Sequence, residues 1–193
     1  MKLGKINRAL GLVLALWCCL AAPVLAAPVL AAPAAPAVPA PAQPRWAVYF
    51  SPQGGCTQAI VAAVGQARKS LHIEAYIFTS HPILQAVIAA QTRGVEVAVI
   101  LDAGAAEEQY SVLRSLLADR VPTWIDAAYH IAHNKIMIID GETVITGSFN
   151  FTRSAEQDNA ENLLVIRDQA LAARYEANFQ EHLRHSRRWG SAP

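Results

Sequence analysis

Cysteine is scarce in this chain, and its distribution limits the covalent chemistry that is available. Cys18 and Cys19 lie in an apolar N-terminal segment, and Cys56 is the only other cysteine. If the N-terminal segment is removed, one thiol remains and no intramolecular disulfide can form. Cys56 lies where a helix is predicted to begin, so we interpret it as a small packed residue. A catalytic thiol or an intermolecular bridge is the alternative.

The sequence also lacks an excess of charge of either sign. Three of its 16 basic residues precede residue 45, whereas all 15 acidic residues follow it. Residues 45–193 therefore carry 13 basic and 15 acidic side chains, which is a net charge of −2. This balance is not typical of a protein that binds nucleic acid strongly.

Histidine and cysteine do not cluster at the spacings that are typical of metal sites. His182 and His185 are three residues apart on a predicted helix, but we see no neighbouring cysteine or carboxylate that completes a ligand group. The sequence therefore predicts neither a bound metal nor a cofactor.

The N-terminal segment has the organisation of a secretory signal peptide. Within residues 1–26, a basic start precedes the apolar run Ala9–Leu20, and Val24-Leu25-Ala26 is a plausible cleavage site. The apolar run is short for a transmembrane helix and is followed by Pro23. We therefore predict an exported protein, periplasmic or secreted, with an uncleaved membrane tether as the alternative.

Residues 27–44 are almost entirely alanine, proline, valine and leucine. Seven of the chain's eleven prolines lie between Pro23 and Pro44, so this segment lacks both helical hydrogen bonds and a packing pattern. We interpret it as an extended linker. Residues 45–193 then form one catalytic domain of ordinary size.

The stretch HNKIMIIDGETVITGSFN, from His133 to Asn150, combines residue types suited to attack on a phosphodiester without a metal. The imidazole of His133 changes charge near neutral pH, so it can act as a nucleophile or a proton donor. Lys135 offers a positive charge to phosphate oxygens. Ser148 and Asn150 offer neutral hydrogen-bond donors to the same oxygens.

The spacing within this stretch predicts a β-hairpin. Residues i and i+2 of a strand share a face, so His133 and Lys135 are expected to point the same way, as are Ser148 and Asn150. Asp140 and Gly141 form a tight-turn signal between two β-rich runs. Such a hairpin would bring the four polar side chains toward one phosphate.

Six positions of this stretch match the HKD motif of the phospholipase D superfamily: His133, Lys135, Asp140, Gly147, Ser148 and Asn150. The region from about Ala47 to Trp189 resembles the small bacterial members that carry one motif per chain, the Nuc-type endonucleases. The similarity includes the segments YFSPQGG, AYIFTS, GSFNFTRSAE and NAENLLVI. A chance hairpin with polar residues would not explain six matching positions.

Strands and helices alternate along the predicted domain. Predicted strands cover residues 46–50, 71–78, 95–101, 121–125, the motif hairpin and 162–166. Predicted helices cover 57–69, 107–117 and 169–185, and a further helix is capped by Thr79 or Ser80, carries Pro82 in its first turn and ends at Gly94. This order predicts an α/β fold, a layered α-β-α sandwich with a central mixed sheet. Catalytic residues at strand ends fit that architecture.

Site roles follow from the resemblance and from the chemistry of the residues. The resemblance implies that His133 is the nucleophile and that Lys135 binds phosphate. Glu161 is the expected carboxylate partner of His133, because a carboxylate on one ring nitrogen frees the other to attack. Asp140 and Gly147 are expected to be structural, and turn chemistry supports that role for Asp140.

Three further residues lie close to the motif or in segments that carry the resemblance. Arg153 follows Asn150 closely and is a candidate for substrate binding, although a solvated loop arginine is an equal alternative. Tyr76 and Phe78 resemble aromatic positions of the family, and we expect them in the core rather than in the site.

The chain contains one HKD motif, which implies that two copies are needed. In the scheme implied by the family, His133 of one copy attacks phosphorus and His133 of a second copy protonates the leaving oxygen. One imidazole cannot do both in the same step. The sequence therefore predicts a homodimer with one shared active site and a phosphohistidine intermediate.

The substrate class is open between two possibilities. The chain-wide resemblance favours an exported nuclease that acts on DNA or RNA. The superfamily motif and the predicted export also fit a phospholipase D that acts on phosphatidyl lipids, although no long apolar insert is visible. Against the nuclease stand the net charge and the loop AGAAEEQY with Glu107 and Glu108. A non-catalytic binding module on the same fold is a third, less favoured alternative.

Overall fold

The structure, a computed structural model, describes residues 45–190, which all lie in one compact unit. The predicted signal peptide and the whole of the predicted linker lie outside the described residues. Within residues 45–190, no helix combines the length and the apolar character that crossing a membrane requires.

One mixed sheet of eight strands is the framework of this unit. The strands are β1 (Trp46–Ser51), β2 (Ser70–Ala75), β3 (Glu96–Asp102), β4 (Thr123–Asp126), β5 (Lys135–Ile139), β6 (Thr143–Gly147), β7 (Glu161–Arg167) and β8 (Arg187–Arg188). Their order in the sheet is β1-β7-β6-β5-β2-β3-β4-β8. The pairs β2–β3 and β3–β4 are parallel, because helical crossovers connect them, and the other pairs are antiparallel.

Helices cover the two faces of the sheet unequally. The helices are α1 (Cys56–Gln66), α2 (His81–Thr92), α3 (Ala103–Ala106), α4 (Leu113–Ala118), α5 (Arg153–Gln157) and α6 (Gln169–His185). The larger apolar core lies between the sheet and α1, α2 and α4. On the opposite face, Phe179 of α6 packs in a smaller cluster with Ile138 of β5. The predicted α-β-α sandwich is therefore confirmed.

The motif hairpin is buried on both faces, as its unbroken apolar run predicts. All five residues of β5 are buried. Met137 and Ile139 belong to the larger core, whereas Ile136 and Ile138 belong to the cluster under α6. The hairpin is therefore held from both sides, which gives a rigid base to the polar residues at its ends.

The predicted helix over residues 107–117 is correct only from Leu113 onward, where α4 begins, and is wrong for residues 107–112. Helix α3 starts earlier because the Asp102 carboxylate accepts a hydrogen bond from the Ala105 N–H, and it ends at Ala106. The next helix, α4, starts only at Leu113. The residues between them are mostly exposed, and Tyr110 is 77% exposed. Helical spacing without an apolar face against the sheet is not enough to hold a helix.

Candidate active site

Most of the predicted catalytic residues lie along one edge of the sheet, which we call the site edge. Here β2, β3, β4 and β6 end, while β5 begins at Lys135 and β7 begins at Glu161. Register places Ala75 of β2 beside Lys135, and Gly147 of β6 beside Leu163 of β7. Strands that run in opposite directions therefore bring residues far apart in sequence to the same edge.

His133 and Lys135 meet through a third side chain, that of Tyr76. The ring centroids of Tyr76 and His133 are 4.6 Å apart, and Lys135 Nζ lies 5.1 Å from the Tyr76 centroid. Lys135 Nζ also donates a hydrogen bond of 2.7 Å to the His133 carbonyl oxygen. His133 itself is exposed, so its imidazole is open to a ligand.

The expectation that Tyr76 belongs to the core is wrong, whereas Phe78 is 3% exposed and is a core residue. Strand β2 ends at Ala75, so Tyr76 lies just beyond the sheet and turns its ring to the site. Its backbone N–H donates to the Asn134 carbonyl oxygen, which fixes the ring beside His133. The AYIFTS segment carried the family resemblance, but sequence alone did not distinguish an aromatic site residue from a core one.

The strands do not extend to the polar residues of the motif, so the prediction that strand alternation places these residues on shared faces is wrong. Strand β5 begins at Lys135 and β6 ends at Gly147, so His133, Ser148 and Asn150 all lie outside the strands. His133 and Lys135 are close because of the contacts with Tyr76 and the carbonyl, and not because they share a pleat.

Lys135 is a cation held in an unfavourable environment. Lys135 is only 6% exposed to solvent. Burial lowers the pKa of the Lys135 ammonium, and the charge of Glu161 offsets part of that effect. A desolvated ammonium beside an exposed imidazole is a strong electrostatic partner for an anionic ligand such as a phosphate.

Ser148 and Glu161 form a hydrogen-bonded pair next to this cation. Ser148 Oγ donates to Glu161 Oε2 at 2.6 Å and accepts from the backbone N–H of Asn162 at 3.1 Å. The side-chain amide of Asn159 donates to the other oxygen of Glu161. Among the described residues of one chain, Glu161 therefore bonds to Ser148 and Asn159, and no hydrogen bond joins it to His133.

Asn150 and Arg153 border a groove of about 560 Å³ beside the site edge. Asn150 Oδ1 is buried and has no hydrogen-bond partner within residues 45–190. Arg153 is exposed, and its Nε donates to Gln157 at 2.6 Å. Glu108 and Asp158 also line the groove, so the arginine charge there is balanced by carboxylates.

Asp140 joins the hairpin turn to a neighbouring loop. Its carboxylate accepts hydrogen bonds from the backbone N–H groups of Arg68, Lys69 and Ser70, the shortest at 2.7 Å. Burial pushes the pKa of Asp140 upward, but these hydrogen bonds outweigh it and hold the pKa below its usual value. The carboxylate lies at the opposite end of β5 from His133, a position suited to organising the fold rather than to proton transfer.

Gly147 occupies a position that no other residue fits without movement. Its φ is 146°, and a Cβ there would lie 2.3 Å from the Asn162 carbonyl oxygen. The missing side chain lets β6 approach β7 closely, just before Ser148 turns toward Glu161.

Two buried carboxylates anchor the residues on either side of His133. Asp102 Oδ2 accepts from the Ala132 N–H at 2.8 Å. Glu74 accepts from the Asn134 side-chain amide, and burial raises the Glu74 pKa. Residues on both sides of His133 are therefore held to the ends of β2 and β3, which orients the imidazole.

The expectation that no carboxylate completes a ligand group near His182 and His185 is wrong. Asp126, at the end of β4, lies against both imidazoles, although it is more than fifty residues away in sequence. Sequence spacing could not reveal this group, because the pairing depends on where α6 crosses the sheet.

Cys56 is fully buried at the start of α1. Burial, with a smaller contribution from the Glu156 carboxylate, raises the pKa of the Cys56 thiol to about 11. The thiolate is therefore scarce at neutral pH, as suits a packed residue rather than a nucleophile.

An exposed imidazole, a buried ammonium and a hydroxyl–carboxylate pair therefore lie together on one edge of the mixed sheet of this α/β protein. The chain belongs to the phospholipase D superfamily, as its sequence predicts. Residues 60–183 match the family described as cardiolipin synthase, PLD-like domain.

Proteins with similar sequences are named either phospholipase D or mitochondrial cardiolipin hydrolase. The chain is 42% identical over 130 residues to a phospholipase D of Rickettsia conorii and 43% identical to that of Rickettsia prowazekii; these alignments span 67% of this chain and 65% and 63% of the relatives. The chain thus spans somewhat less than two thirds of these relatives. It is 31% identical to a mitochondrial cardiolipin hydrolase of Xenopus tropicalis, over 60% of this chain and 55% of that protein.

Two solved structures match this chain over nearly their whole length. The crystal structure of Nuc from Salmonella typhimurium, a phospholipase D family member, superposes with a TM-score of 0.73 at 33% identity, covering 76% of this chain and 98% of that one. NucT from Helicobacter pylori superposes with a TM-score of 0.69 at 25% identity, covering 75% and 98%.

Proposed function

We propose that the protein hydrolyses phosphodiesters without a catalytic metal, through a covalent phosphohistidine on His133, and that nucleic acid is its substrate. The observation that carries this proposal is the contact of an exposed His133 with Tyr76 and the buried Lys135 ammonium. The imidazole supplies a nucleophile, and the ammonium supplies the charge that a metal would otherwise provide.

The reaction has two steps that use two histidines. In the first, a ring nitrogen of His133 attacks phosphorus, the bond to the leaving oxygen breaks, and that oxygen takes a proton from His133 of a second copy. In the second, the latter imidazole takes a proton from water, the water oxygen bonds to phosphorus, and the phosphorus–nitrogen bond breaks. Atoms and charge balance, and both histidines return to their starting states.

Lys135 and Asn150 of both copies bind the non-bridging oxygens, and Ser148 positions the site. The partnerless buried oxygen of Asn150 supports this role, since rotation of the amide would present its NH₂ group to a phosphate. Arg153 extends phosphate binding into the groove beside Asn150. Glu161 fixes one tautomer of a His133 imidazole, and we assign that contact to the paired copies because Glu161 does not bond its own His133 within the described chain.

An exposed apolar surface next to the site supports a homodimer with one shared active site. Trp46, Val48 and Phe50 lie on one face of the edge strand β1, and Trp46 and Phe50 are 62% and 63% exposed. Tyr49, between them, packs on the opposite face against the larger core. Ser51 of the same strand pairs with Glu161, so the apolar surface reaches the site edge. A second copy on this surface would bury the exposed side chains and deliver its own His133.

A nuclease is favoured because Nuc and NucT share the fold over 98% of their chains. Phospholipid is the second candidate, because the Rickettsia relatives at 42–43% identity bear the name phospholipase D.

Side-by-side assays of plasmid DNA, RNA and phosphatidylcholine test the choice between the two substrates, with the His133→Asn protein as background. Hydrolysis of phosphatidylcholine but not of DNA or RNA would favour the phospholipase over the nuclease. Full biological activity of the His133→Asn protein would favour a non-catalytic binding module instead.

Activity is expected to survive chelation. None of the proposed catalytic groups needs a metal, since Lys135 supplies the positive charge. The measurement is hydrolysis of a generic phosphodiester in excess EDTA after extensive dialysis, at a temperature well below the melting midpoint of the chelated protein. Loss of activity in a still-folded protein, with recovery on adding one divalent metal, would contradict the mechanism if the His185→Asn variant, whose change lies outside the proposed catalytic residues, responds in the same way.

Binding to DNA is expected to be weak and steeply dependent on salt. The described cations near the site edge are few, and Glu108 and Asp158 line the groove with Arg153. Affinity must therefore come from a small number of phosphate contacts, which are lost as salt rises through counterion release. Titration of a fluorescent oligonucleotide at several salt concentrations measures the slope. Tight binding that hardly changes up to physiological salt would reveal a different binding surface.

We also propose that the protein acts outside the cytoplasm after cleavage of residues 1–26. The basic and then apolar pattern of that segment supports export. N-terminal sequencing of the mature protein is expected to begin at or just after Ala27, and an intact N-terminus would indicate a tether.

A further inference from the structure

Three side chains converge where the end of α6 crosses the end of β4. His182 Nδ1 lies 2.7 Å from Asp126 Oδ2, and His185 Nε2 lies 3.3 Å from the same oxygen. The three candidate ligand atoms all lie within 4.8 Å of one another. Two imidazole nitrogens that face one carboxylate oxygen can form a hydrogen-bonded cluster, and the same arrangement of atoms can coordinate a metal ion.

The donor set and its dimensions fit a zinc ion. Two imidazoles and one carboxylate are ligands that Zn²⁺ commonly takes, with water in the fourth position. Zinc–ligand distances of about 2.1 Å place tetrahedral ligand atoms about 3.4 Å apart. The 3.3 Å separation of His185 Nε2 from Asp126 Oδ2 is close to that value, whereas the 2.7 Å separation of His182 Nδ1 is about 0.7 Å shorter and must lengthen when an ion enters. No separation in the group exceeds 4.8 Å, so rotation of the exposed His185 side chain can bring the remaining pair to the tetrahedral distance.

Neighbouring residues orient the Asp126 carboxylate and cover the two imidazoles. The Asp126 side chain is fully buried, and its other oxygen accepts from the Ala128 N–H at 2.9 Å, which orients the carboxylate. The Tyr129 ring lies 5.2 and 5.4 Å from the two imidazole centroids and shields one side of the cluster.

We propose that Asp126, His182 and His185 form a structural site for one divalent transition-metal ion, and that Zn²⁺ is the ion it takes. The ion ties the C-terminal end of α6 to β4, at the site edge. His182 also lines the same small pocket as His133, so the metal fixes the surface beside the nucleophile without contacting the phosphate. This inference is independent of the proposed reaction, because none of the three ligands takes part in it.

Zinc binding to the tag-free full-length chain tests the proposal. After treatment with EDTA and dialysis into metal-free buffer, calorimetric titration with Zn²⁺ is expected to show one saturable site per chain. Excess Zn²⁺ is expected to raise the melting midpoint by several degrees, because the ion binds the folded state. X-ray absorption is expected to show two imidazoles and no sulfur, which excludes coordination by Cys18, Cys19 or Cys56.

Two matched variants decide the outcome. His185→Asn removes an exposed ligand, so it is expected to fold, to bind Zn²⁺ at least about tenfold more weakly and to lose the thermal shift. His130→Asn removes an exposed histidine of the neighbouring loop that is outside the cluster, and is expected to behave as wild type. The proposal is overturned if wild type shows no site beyond that of His185→Asn, if His130→Asn weakens binding equally, or if the bound zinc has sulfur ligands.

Discussion

Refolding wild-type chains together with His133→Ala chains is expected to give an activity per total protein that falls as the square of the wild-type fraction. Each chain carries one HKD motif, whereas the two-step reaction needs a nucleophile and a separate proton donor. If both histidines belong to one shared site, only pairs of wild-type chains are active. An equal mixture should then retain about a quarter of the activity.

The control mixes wild type with His130→Ala, a loop variant that leaves the motif intact, and its activity per total protein should not depend on the ratio. His133→Ala alone should lose activity by about 10⁴-fold or more, as when a nucleophile is removed. A linear decline in the first mixture would mean that each chain contains a complete site. The dimer and the division of labour between two histidines would then be wrong.

Lys135→Met is expected to lower kcat/KM by about 10²–10³-fold, the usual cost of losing one group that stabilises charge in the transition state. The same change should not lower the melting temperature. The Lys135 pKa is lowered in the folded protein, so the unfolded chain holds this proton more tightly. Below the folded-state pKa the charged ammonium therefore disfavours folding, and stability rises with pH between the folded and unfolded pKa values.

Methionine keeps most of the side-chain volume and removes the charge, so the variant should be at least as stable as wild type at neutral pH. Steady-state kinetics and thermal melts measure the two effects separately. Lys69→Met is the matched control, because Lys69 is exposed and lies at the far end of the sheet, beside Asp140. Parallel loss of stability and activity in Lys135→Met, or full activity, would contradict the role given to Lys135.

Much of the fold follows from local sequence patterns. Helix α6 runs over residues 169–185 as predicted, because the Asp168 carboxylate accepts from the Leu171 N–H at its start and apolar residues recur at helical spacing. The motif hairpin also follows, since an apolar run, a turn at Asp140 and a second β-rich run specify it locally. The segment EEQYS misled the prediction, because spacing does not reveal whether a helix has a surface to pack against.

The sequence identified which residues belong to the candidate site, but it did not predict most of the contacts between them. The motif identifies His133, Lys135, Ser148 and Asn150, but their contacts depend on other parts of the chain. Tyr76 lies in the site because β2 pairs with β5 in the sheet and ends at Ala75, one residue before Tyr76. Glu161 bonds to Ser148 because β6 lies beside β7.

The sequence by itself determined the alternation of strands and helices, the superfamily and the residues with phosphate chemistry, because each depends on patterns only a few residues long. Only the tertiary structure decided that Tyr76 joins His133 to Lys135, and that Asp126 meets His182 and His185. These contacts depend on strand order and on the path of α6 across the sheet. Strand order results from the burial of whole strand faces, a collective property that no short pattern encodes.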